Sequence, residues 1–143
     1  MYRPVSDTWP DYLQTEDRES QVGYLAVGVP GNLKAWEELH SEYGKLSWET
    51  IIAPAIRYAE KGFPASEYLV RLITENREDI GRFPATAEIF LPGGSPPVPG
   101  ELIVRRDYAE SLKAISSGGS SELYDGPLGH TITEDIKRNG GLI

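Results

Sequence analysis

The sequence predicts a mainly α protein, an irregular bundle of about six helices with one short β element. Two observations predict this class. Apolar residues recur at spacings of three and four, and the segments that carry them start at capping residues and stop at glycine. No internal repeat or long linker divides the 143 residues, a length that suits one domain. We expect an irregular lead-in over residues 1–22 and a single helical domain over residues 23–143.

Composition excludes several classes of function. Lys and Arg number 14 against 22 Asp and Glu, and the net charge of −8 disfavours nucleic acid and anionic membranes as partners. The absence of cysteine excludes disulfides, zinc-thiolate sites and a cysteine nucleophile. No apolar run approaches the ~20 residues that span a bilayer, and the N-terminus has no apolar signal-peptide region. These features favour a cytoplasmic location, unless the chain is an internal piece of a longer protein.

The chain opens with charged and proline-containing residues that show no period of 2 or 3.6. Gly23 to Val29 is short, apolar and bounded by glycines, which predicts a buried strand. After a turn at Pro30-Gly31, the first helix covers Asn32 to Tyr43, with Asn32 as its cap. Gly44 is placed to end it in a left-handed conformation. The face predicted to point inward shares helical spacing and comprises Leu33, Trp36, Leu39, His40 and Tyr43.

Serine caps predict the next two helices. Ser47 starts the second, which stops at Gly62 and contains Pro54. Because proline removes a backbone donor and crowds the preceding turn, we expect a kink or break near Thr50. Ser66 starts a third helix, which runs to Gly81.

The middle of the chain is rich in proline and glycine. Phe83 to Leu91 predicts a short helix with Pro84 in its first turn. Pro92 to Gly100 predicts a loop or extended arm, and Leu102 to Val104 a short strand paired with the segment near Val98.

The C-terminal third predicts two further helices joined by about one helical turn. Asp107 and Glu110 have the spacing of a capping box, and that helix ends at Gly118-Gly119. Ser121 to Tyr124 is the intervening turn, and the last helix runs from Pro127 to Gly140.

Two histidines are the first candidates for chemistry. His40 lies on the apolar face of the first helix and is better explained as a structural histidine. His130 begins the last helix, where it caps or faces solvent. Neither has a carboxylate at ligand spacing beside it, so the pair predicts no metal site.

Neighbouring carboxylates could act as an acid and a base. The three pairs lie on polar faces of predicted helices, where neighbours point about 100° apart, so we interpret them as solvated surface. They are Glu37-Glu38, Glu78-Asp79 and Glu134-Asp135.

Glycine-rich and aromatic residues also have structural explanations. Neither Gly93-Gly94-Ser95 nor Gly118-Gly119-Ser120-Ser121 matches a phosphate-binding motif, and the second is better explained as a helix stop. Five aromatic residues could form a ligand-binding stripe, although helical spacing favours a place in the core. They are Trp36, Tyr43, Trp48, Tyr58 and Phe63.

Several short motifs follow one another in the order found in one enzyme family. They are Val27-Gly28-Val29-Pro30-Gly31, Tyr43-Gly44-Lys45-Leu46, Pro54-Ala55-Ile56, Ala59-Glu60-Lys61-Gly62-Phe63, Phe90-Leu91-Pro92, Leu123-Tyr124 with Gly126, and Asn139-Gly140-Gly141-Leu142-Ile143. With these motifs, residues 23–143 resemble the central helical part of the large subunit of γ-glutamyltransferases, which are αββα N-terminal nucleophile hydrolases. Trp36 with Leu39-His40, and Val29-Pro30-Gly31, lean towards the acylase-like or amidohydrolase-like members rather than the glutathione-specific ones.

The resemblance implies a precursor that cleaves itself and frees a catalytic threonine, whose α-amine acts as the base for its own hydroxyl. The family's nucleophile motif, its substrate-binding arginine and its oxyanion glycines match no position of this chain. We therefore expect no catalytic, cofactor-binding or metal-binding residue here, no cofactor, and an inactive domain. The implied partners are the rest of the large subunit and the small subunit, and self-association is a further expectation.

A different class of function stays open at this point. The proline-rich arm from Pro92 to Gly100 and the aromatic residues would also suit a stand-alone acidic module that binds a protein or peptide. A gene that starts at Met1 and stops after Ile143 would favour that alternative. A longer reading frame with a Thr-Thr-His motif downstream would favour the enzyme domain.

Overall fold

The computed structural model describes residues 21–142, and within them it confirms a mainly α fold with one small β element. The elements are α1 (Asn32–Tyr43), α2 (Trp48–Lys61), β1 (Phe63–Pro64), α3 (Glu67–Glu75), α4 (Arg77–Gly81), α5 (Pro84–Phe90), β2 (Leu102–Ile103), α6 (Arg106–Gly118), α7 (Ser121–Tyr124) and α8 (Pro127–Arg138). Short 3₁₀ turns lie at Tyr24–Ala26 and Pro92–Gly94. The predicted lead-in falls almost entirely outside the described residues. None of the described helices is long and apolar enough to cross a bilayer.

Helices α2 and α6 form an antiparallel pair. The amide of Arg105, just before α6, donates to the carbonyl of Ala59 near the end of α2 at 2.8 Å. At the other end, the indole nitrogen of Trp48 donates to the carbonyl of Ile115 at 3.1 Å. Ala109 is fully buried, and a small side chain at this position suits a close approach of two helices.

The two strands join the ends of these helices. Phe63 faces Ile103 and Pro64 faces Leu102 in an antiparallel pair. The predicted pairing of the second strand with the segment near Val98 is therefore wrong. Val98 instead accepts a hydrogen bond from the amide of Glu101 at 3.0 Å, within the turn that leads into β2.

The hydrophobic core lies between this small sheet and helices α3 to α5. Its buried residues are Ala65, Ile73, Leu91 and Ile103. Partly buried apolar side chains surround them; they are Phe63, Leu69, Val70, Ile80, Ala87, Ile89 and Phe90. The core thus packs beside β1 and β2, away from α1, which buries none of its side chains.

Two predicted elements differ in kind from the structure. Gly23 to Val29 is not a strand, because Tyr24–Ala26 forms a 3₁₀ turn and the following residues are irregular. An isolated apolar run needs a neighbouring strand to form a ladder, and none of the described residues supplies one here. The third helix is broken, because Asn76 (φ −107°, ψ 19°) leaves the helical region and separates α3 from α4.

The predicted caps agree with the structure at two serines. The hydroxyl of Ser47 accepts from the amide of Thr50 at 3.3 Å, and that of Ser66 accepts from the amide of Leu69 at 3.2 Å. Pro54 lies inside α2, which continues from Trp48 to Lys61, so of the predicted kink or break near Thr50 the break is wrong.

Three predictions of helix capping are wrong, although α1 spans Asn32–Tyr43 as predicted. Asn32 is the first residue of α1 rather than its cap, and the preceding Gly31 offers no side chain to cap it. Gly44 is extended (φ −68°, ψ 140°) rather than left-handed. The capping box at Asp107 does not form, because α6 begins one residue earlier, at Arg106, and places Asp107 inside its first turn.

Candidate functional site

Helix α1 carries three large apolar side chains that are exposed. Trp36, Leu39 and Tyr43 occupy one face of the helix and are 59%, 58% and 69% exposed. We call these three residues the α1 outer face. Leu46, in the loop after α1, is 61% exposed, and Val29, just before the helix, is 73% exposed. An apolar helical stripe left open in this way is typical of a surface that another structural element covers.

The predicted inward face of α1 is therefore only partly correct. Leu33 and His40 are half-buried, whereas Trp36, Leu39 and Tyr43 face solvent. Val27 and Val29, in the run predicted to be a buried strand, are also exposed. The chain continues from there into the larger α1 outer face.

Glu37 attaches the inward side of α1 to the loop before α7. The amide and hydroxyl of Ser120, which is 1% exposed, both donate to the Glu37 carboxylate, at 2.8 and 2.5 Å. These bonds lower the pKa of Glu37, and the ammonium group of Lys34, 3.8 Å away, lowers it further. The interpretation of Glu37 as solvated surface is wrong, because its partner lies 83 positions away in sequence.

Tyr124 makes a second attachment between the same two elements. Its hydroxyl donates to the carbonyl of Pro30 at 2.6 Å and accepts from the amide of Lys34 at 3.2 Å. The first amides of a helix have no partner within the helix, and Gly31 has no side chain to supply one. The Tyr124 hydroxyl therefore acts as a cap for α1 that comes from elsewhere in the fold.

His40 anchors the C-terminal end of α1. Its Nε2 donates to the carbonyl of Leu46 at 2.8 Å, and its ring lies 5.3 Å from the Trp48 ring, centroid to centroid. These contacts fold the loop between α1 and α2 back onto the helix. A Cβ at Gly44 would collide with the His40 ring, so this position favours glycine.

The remaining histidine and acidic residues are dispersed. His130 is exposed in the first turn of α8. The structure pairs Asp79 with Arg82 at 3.8 Å and Asp135 with Arg138 at 3.9 Å. Among residues 21–142, no group of three His, Asp or Glu side chains is arranged to hold a metal ion.

The two glycine segments have structural partners. Gly93 and Gly94 form a tight turn with φ angles of 65° and 83°, and the carbonyl of Gly94 accepts from the guanidinium of Arg77 at 2.7 Å. Gly119 (φ 72°) ends α6 as predicted, and a Cβ there would overlap the carboxylate of Glu37.

The five aromatic residues do not form one cluster in the core. Trp48 and Phe63 are half-buried, whereas Trp36 and Tyr43 belong to the α1 outer face and Tyr58 is 54% exposed. The core interpretation is therefore wrong for three of the five.

An open groove of about 760 Å³ lies between the first turn, the start of α5 and the end of α8. Its walls include Tyr24 and Phe83, whose rings meet edge to face at 6.2 Å, together with Arg82 and Arg138. Both arginines already have carboxylate partners, so the groove presents no unpaired cation to an anionic ligand.

Comparisons with known proteins agree on one family. Residues 5–143 match the family model described as gamma-glutamyltranspeptidase. The acylase ACY 1 proenzyme of Pseudomonas sp. (strain V22) is 44% identical over 143 residues, which cover 100% of this chain and 26% of that protein. The glutathione hydrolase proenzyme of Bacillus subtilis (strain 168) is 37% identical over 116 residues, which cover 81% of this chain and 20% of that protein.

Solved structures lead to the same result. The γ-glutamyltranspeptidase of Helicobacter pylori superposes with a TM-score of 0.84 at 33% identity, over 89% of this chain and 37% of that one. The cephalosporin acylase of Bacillus halodurans gives a TM-score of 0.78 at 30% identity, over 85% of this chain and 24% of that one. The chain spans about a quarter of the length of the curated relatives it matches.

Proposed function

The chain belongs to the γ-glutamyltranspeptidase family, and from that premise we propose that it supplies a helical, non-catalytic part of a larger amide-cleaving enzyme. In this proposal the rest of the large subunit and a small subunit complete the active enzyme. The chain itself holds the surface on which they assemble and has no activity alone.

The chemistry proposed for the complete enzyme is acyl transfer through a threonine outside this chain. The hydroxyl of an N-terminal threonine would attack an amide carbonyl while its own α-amine takes the proton. The amide C–N bond would then break, the α-amine would pass the proton to the departing amine, and the acyl group would remain as an ester on the threonine. Water or an amine would then release the acyl group. The 44% identity to an acylase proenzyme favours an acyl amide as the substrate, and the 37% identity to a glutathione hydrolase proenzyme supports a γ-glutamyl amide as the alternative.

The observation that carries the proposal is the uncovered α1 outer face. Trp36, Leu39 and Tyr43 each expose more than half of their surface, although their spacing is that of a helix that packs on something. Burying one such side chain is worth about 1.5–3 kcal/mol, so three of them can stabilise a substantial contact. Since relatives are about four times as long as this chain, they contain additional polypeptide that could supply the cover.

A segment exchange tests the proposal. The chain would replace the matching 143 residues of the Pseudomonas acylase ACY 1 proenzyme. We expect the hybrid to convert into subunits and to hydrolyse an acyl amide, while the chain alone leaves both that substrate and a γ-glutamyl anilide intact. Turnover by the chain alone would contradict the proposal.

Variants of the exchanged segment test the docking surface itself. Trp36→Ser with Leu39→Ser should prevent conversion of the hybrid, because both side chains lose their apolar contact. Tyr68→Ser serves as the matched control, since Tyr68 is 62% exposed on a different helix. A hybrid that converts equally well with all three sequences would show that the outer face is not the docking surface.

A further inference from the structure

Hydrogen bonds hold the N-terminal half of α1 against the rest of the described chain. No side chain of the helix is fully buried, and this half touches distant elements through the Glu37 carboxylate and the Lys34 amide. Both contacts reach one short stretch, Ser120 to Tyr124, which is α7 with the residue before it.

The two attachments are reciprocal. A side chain of α1, Glu37, accepts from the amide and hydroxyl of Ser120, immediately before α7. A side chain of α7, Tyr124, binds the amide of Lys34 in the first turn of α1 and the carbonyl of Pro30 before it. Helix α1 therefore supplies an acceptor for the amide that precedes α7, and α7 supplies an acceptor for an amide in the first turn of α1.

We propose that Glu37 and Tyr124 form a reciprocal clamp that acts as one unit and positions α1 so that its outer face is presented to the rest of the enzyme. The clamp itself stands independently of the proposed function, whereas its role in docking rests on that function. Glu37 and Tyr124 are positioning residues in this proposal.

The two attachments, which we call the arms of the clamp, should be coupled because of their geometry. Both arms join the same two elements, so either one holds the groups of the other at bonding distance. Without one arm, the N-terminal half of α1 can move away from α7 and weaken the other arm, while the contacts of His40 with Leu46 and Trp48 still hold the C-terminal end of the helix. Interactions that share elements in this way typically show coupling rather than independent loss.

Gly119 supports the same arrangement. Its φ angle of 72° favours glycine, and a Cβ at this position would overlap the Glu37 carboxylate. The backbone thus leaves room for the carboxylate to reach the Ser120 amide.

Amide hydrogen exchange of the full chain tests the coupling. Glu37→Ala removes one arm, and we expect the Lys34 amide, which belongs to the other arm, to exchange about 10-fold faster. Tyr124→Phe should accelerate the Ser120 amide in the same way. The Gly62 amide, bonded to the carbonyl of Tyr58 in α2, should not change in either variant.

Matched controls distinguish the clamp from general loosening. Glu38→Ala removes a 69% exposed carboxylate that pairs with the Lys34 ammonium group at 3.6 Å, as Glu37 does at 3.8 Å, so it controls for the loss of that ion pair. Tyr43→Phe removes a hydroxyl that bonds only the adjacent Glu42 among the described residues. If Glu37→Ala unfolds the chain, Ser120→Ala removes the same arm from the opposite side with the same readout. Equal Lys34 exchange in the Glu37→Ala and Glu38→Ala chains would overturn the clamp.

The acylase hybrid tests the docking role separately. Glu37→Ala should slow its conversion into subunits about 10-fold relative to Glu38→Ala, if misplacing α1 costs about 1.4 kcal/mol. If amide exchange shows the coupling but Glu37→Ala does not slow conversion of the hybrid, the docking role is overturned and the clamp itself still holds. Failure of the unsubstituted hybrid to convert would instead contradict the proposed function, while the exchange data would still decide the clamp.

Discussion

The indole nitrogen of Trp48 lies 3.1 Å from the carbonyl oxygen of Ile115, 67 positions further along the chain. Trp48 is the first residue of α2, and Ile115 lies in the last turns of α6. Together with the bond between Arg105 and Ala59 at the other end, this contact fixes the antiparallel helix pair at both of its ends.

Removing this bond should destabilise the chain measurably. Trp48→Phe keeps an aromatic ring but removes the indole donor from the Ile115 carbonyl, which keeps its bond from the Gly119 amide at 2.9 Å. Losing this one hydrogen bond should cost about 0.5–1.5 kcal/mol in the free energy of unfolding. Urea titration followed by circular dichroism measures the change. Trp36→Phe alters the same residue type at a 59% exposed position and should change the free energy by less than about 0.5 kcal/mol.

The pKa of Glu37 predicts a loss of stability in acid. Hydrogen bonds from Ser120 lower this pKa from the ordinary value of 4.5, so the folded chain binds a proton at Glu37 less readily than the unfolded chain. The resulting stabilisation is fully present above pH 4.5 and is lost as the pH falls through the lower folded-state pKa. Urea midpoints measured from pH 7 down to pH 3 should therefore fall further for the unsubstituted chain than for Glu37→Gln.

Other carboxylates contribute to this acid sensitivity, and a control separates them. A hydrogen bond from Lys113 lowers the pKa of Glu60 as well. Glu38→Gln leaves both Glu37 and Glu60 unchanged. Its urea midpoint should therefore depend on pH as that of the unsubstituted chain does, from pH 7 down to pH 3. Parallel curves for Glu37→Gln and Glu38→Gln would contradict the assignment to Glu37.

Two glycines with positive φ should differ in what an alanine costs. Gly93 and Gly119 have φ angles of 65° and 72°, but a Cβ at Gly93 meets nothing within 4 Å. Gly93→Ala should therefore cost about 1 kcal/mol for the backbone alone. Gly119→Ala should cost at least about 1 kcal/mol more, since its ψ of −166° lies in a region that only glycine adopts readily and the added carbon must also displace the Glu37 carboxylate. Equal urea midpoints for the two variants would contradict the close approach of Glu37 and Gly119.

The exposed α1 outer face predicts self-association of the chain. Light scattering across a concentration series should give an average mass that rises above the 15.8 kDa of one chain. Trp36→Ser with Leu39→Ser should return the mass towards that of a monomer, because the apolar contact is removed. A monomer at every concentration would count against this prediction.

Local signals in the sequence predicted most helix ends. The hydroxyls of Ser47 and Ser66 bond amides only three positions away, and Pro84 and Pro127 lie at the first position of α5 and α8. Such contacts depend on a few adjacent residues, so a pattern in the sequence is enough to identify them.

Long-range contacts account for what could not be predicted. Glu37 resembles any polar residue on a helix, and only the fold brings it to Ser120. The strand pair depends on two residues at each end, Phe63–Pro64 and Leu102–Ile103, too short a run to show a period. The apolar spacing of α1 predicts a helix with an apolar face, and this is confirmed. Spacing alone does not say whether that face packs within residues 21–142 or against another part of the protein.

The pairing of β1 with β2 closes a loop in the chain. Ala65 and Glu101, which lie just inside the strand pair, are joined by a 2.8 Å bond between amide and carbonyl, so both ends of the intervening 66–100 stretch meet at one point. This stretch contains α3, α4 and α5, and it begins and ends beside the strand pair. Because both ends meet at one point, a change of length in an exposed turn of this stretch need not shift α2 against α6, whereas Ile73 and Leu91 within it are fixed by the core.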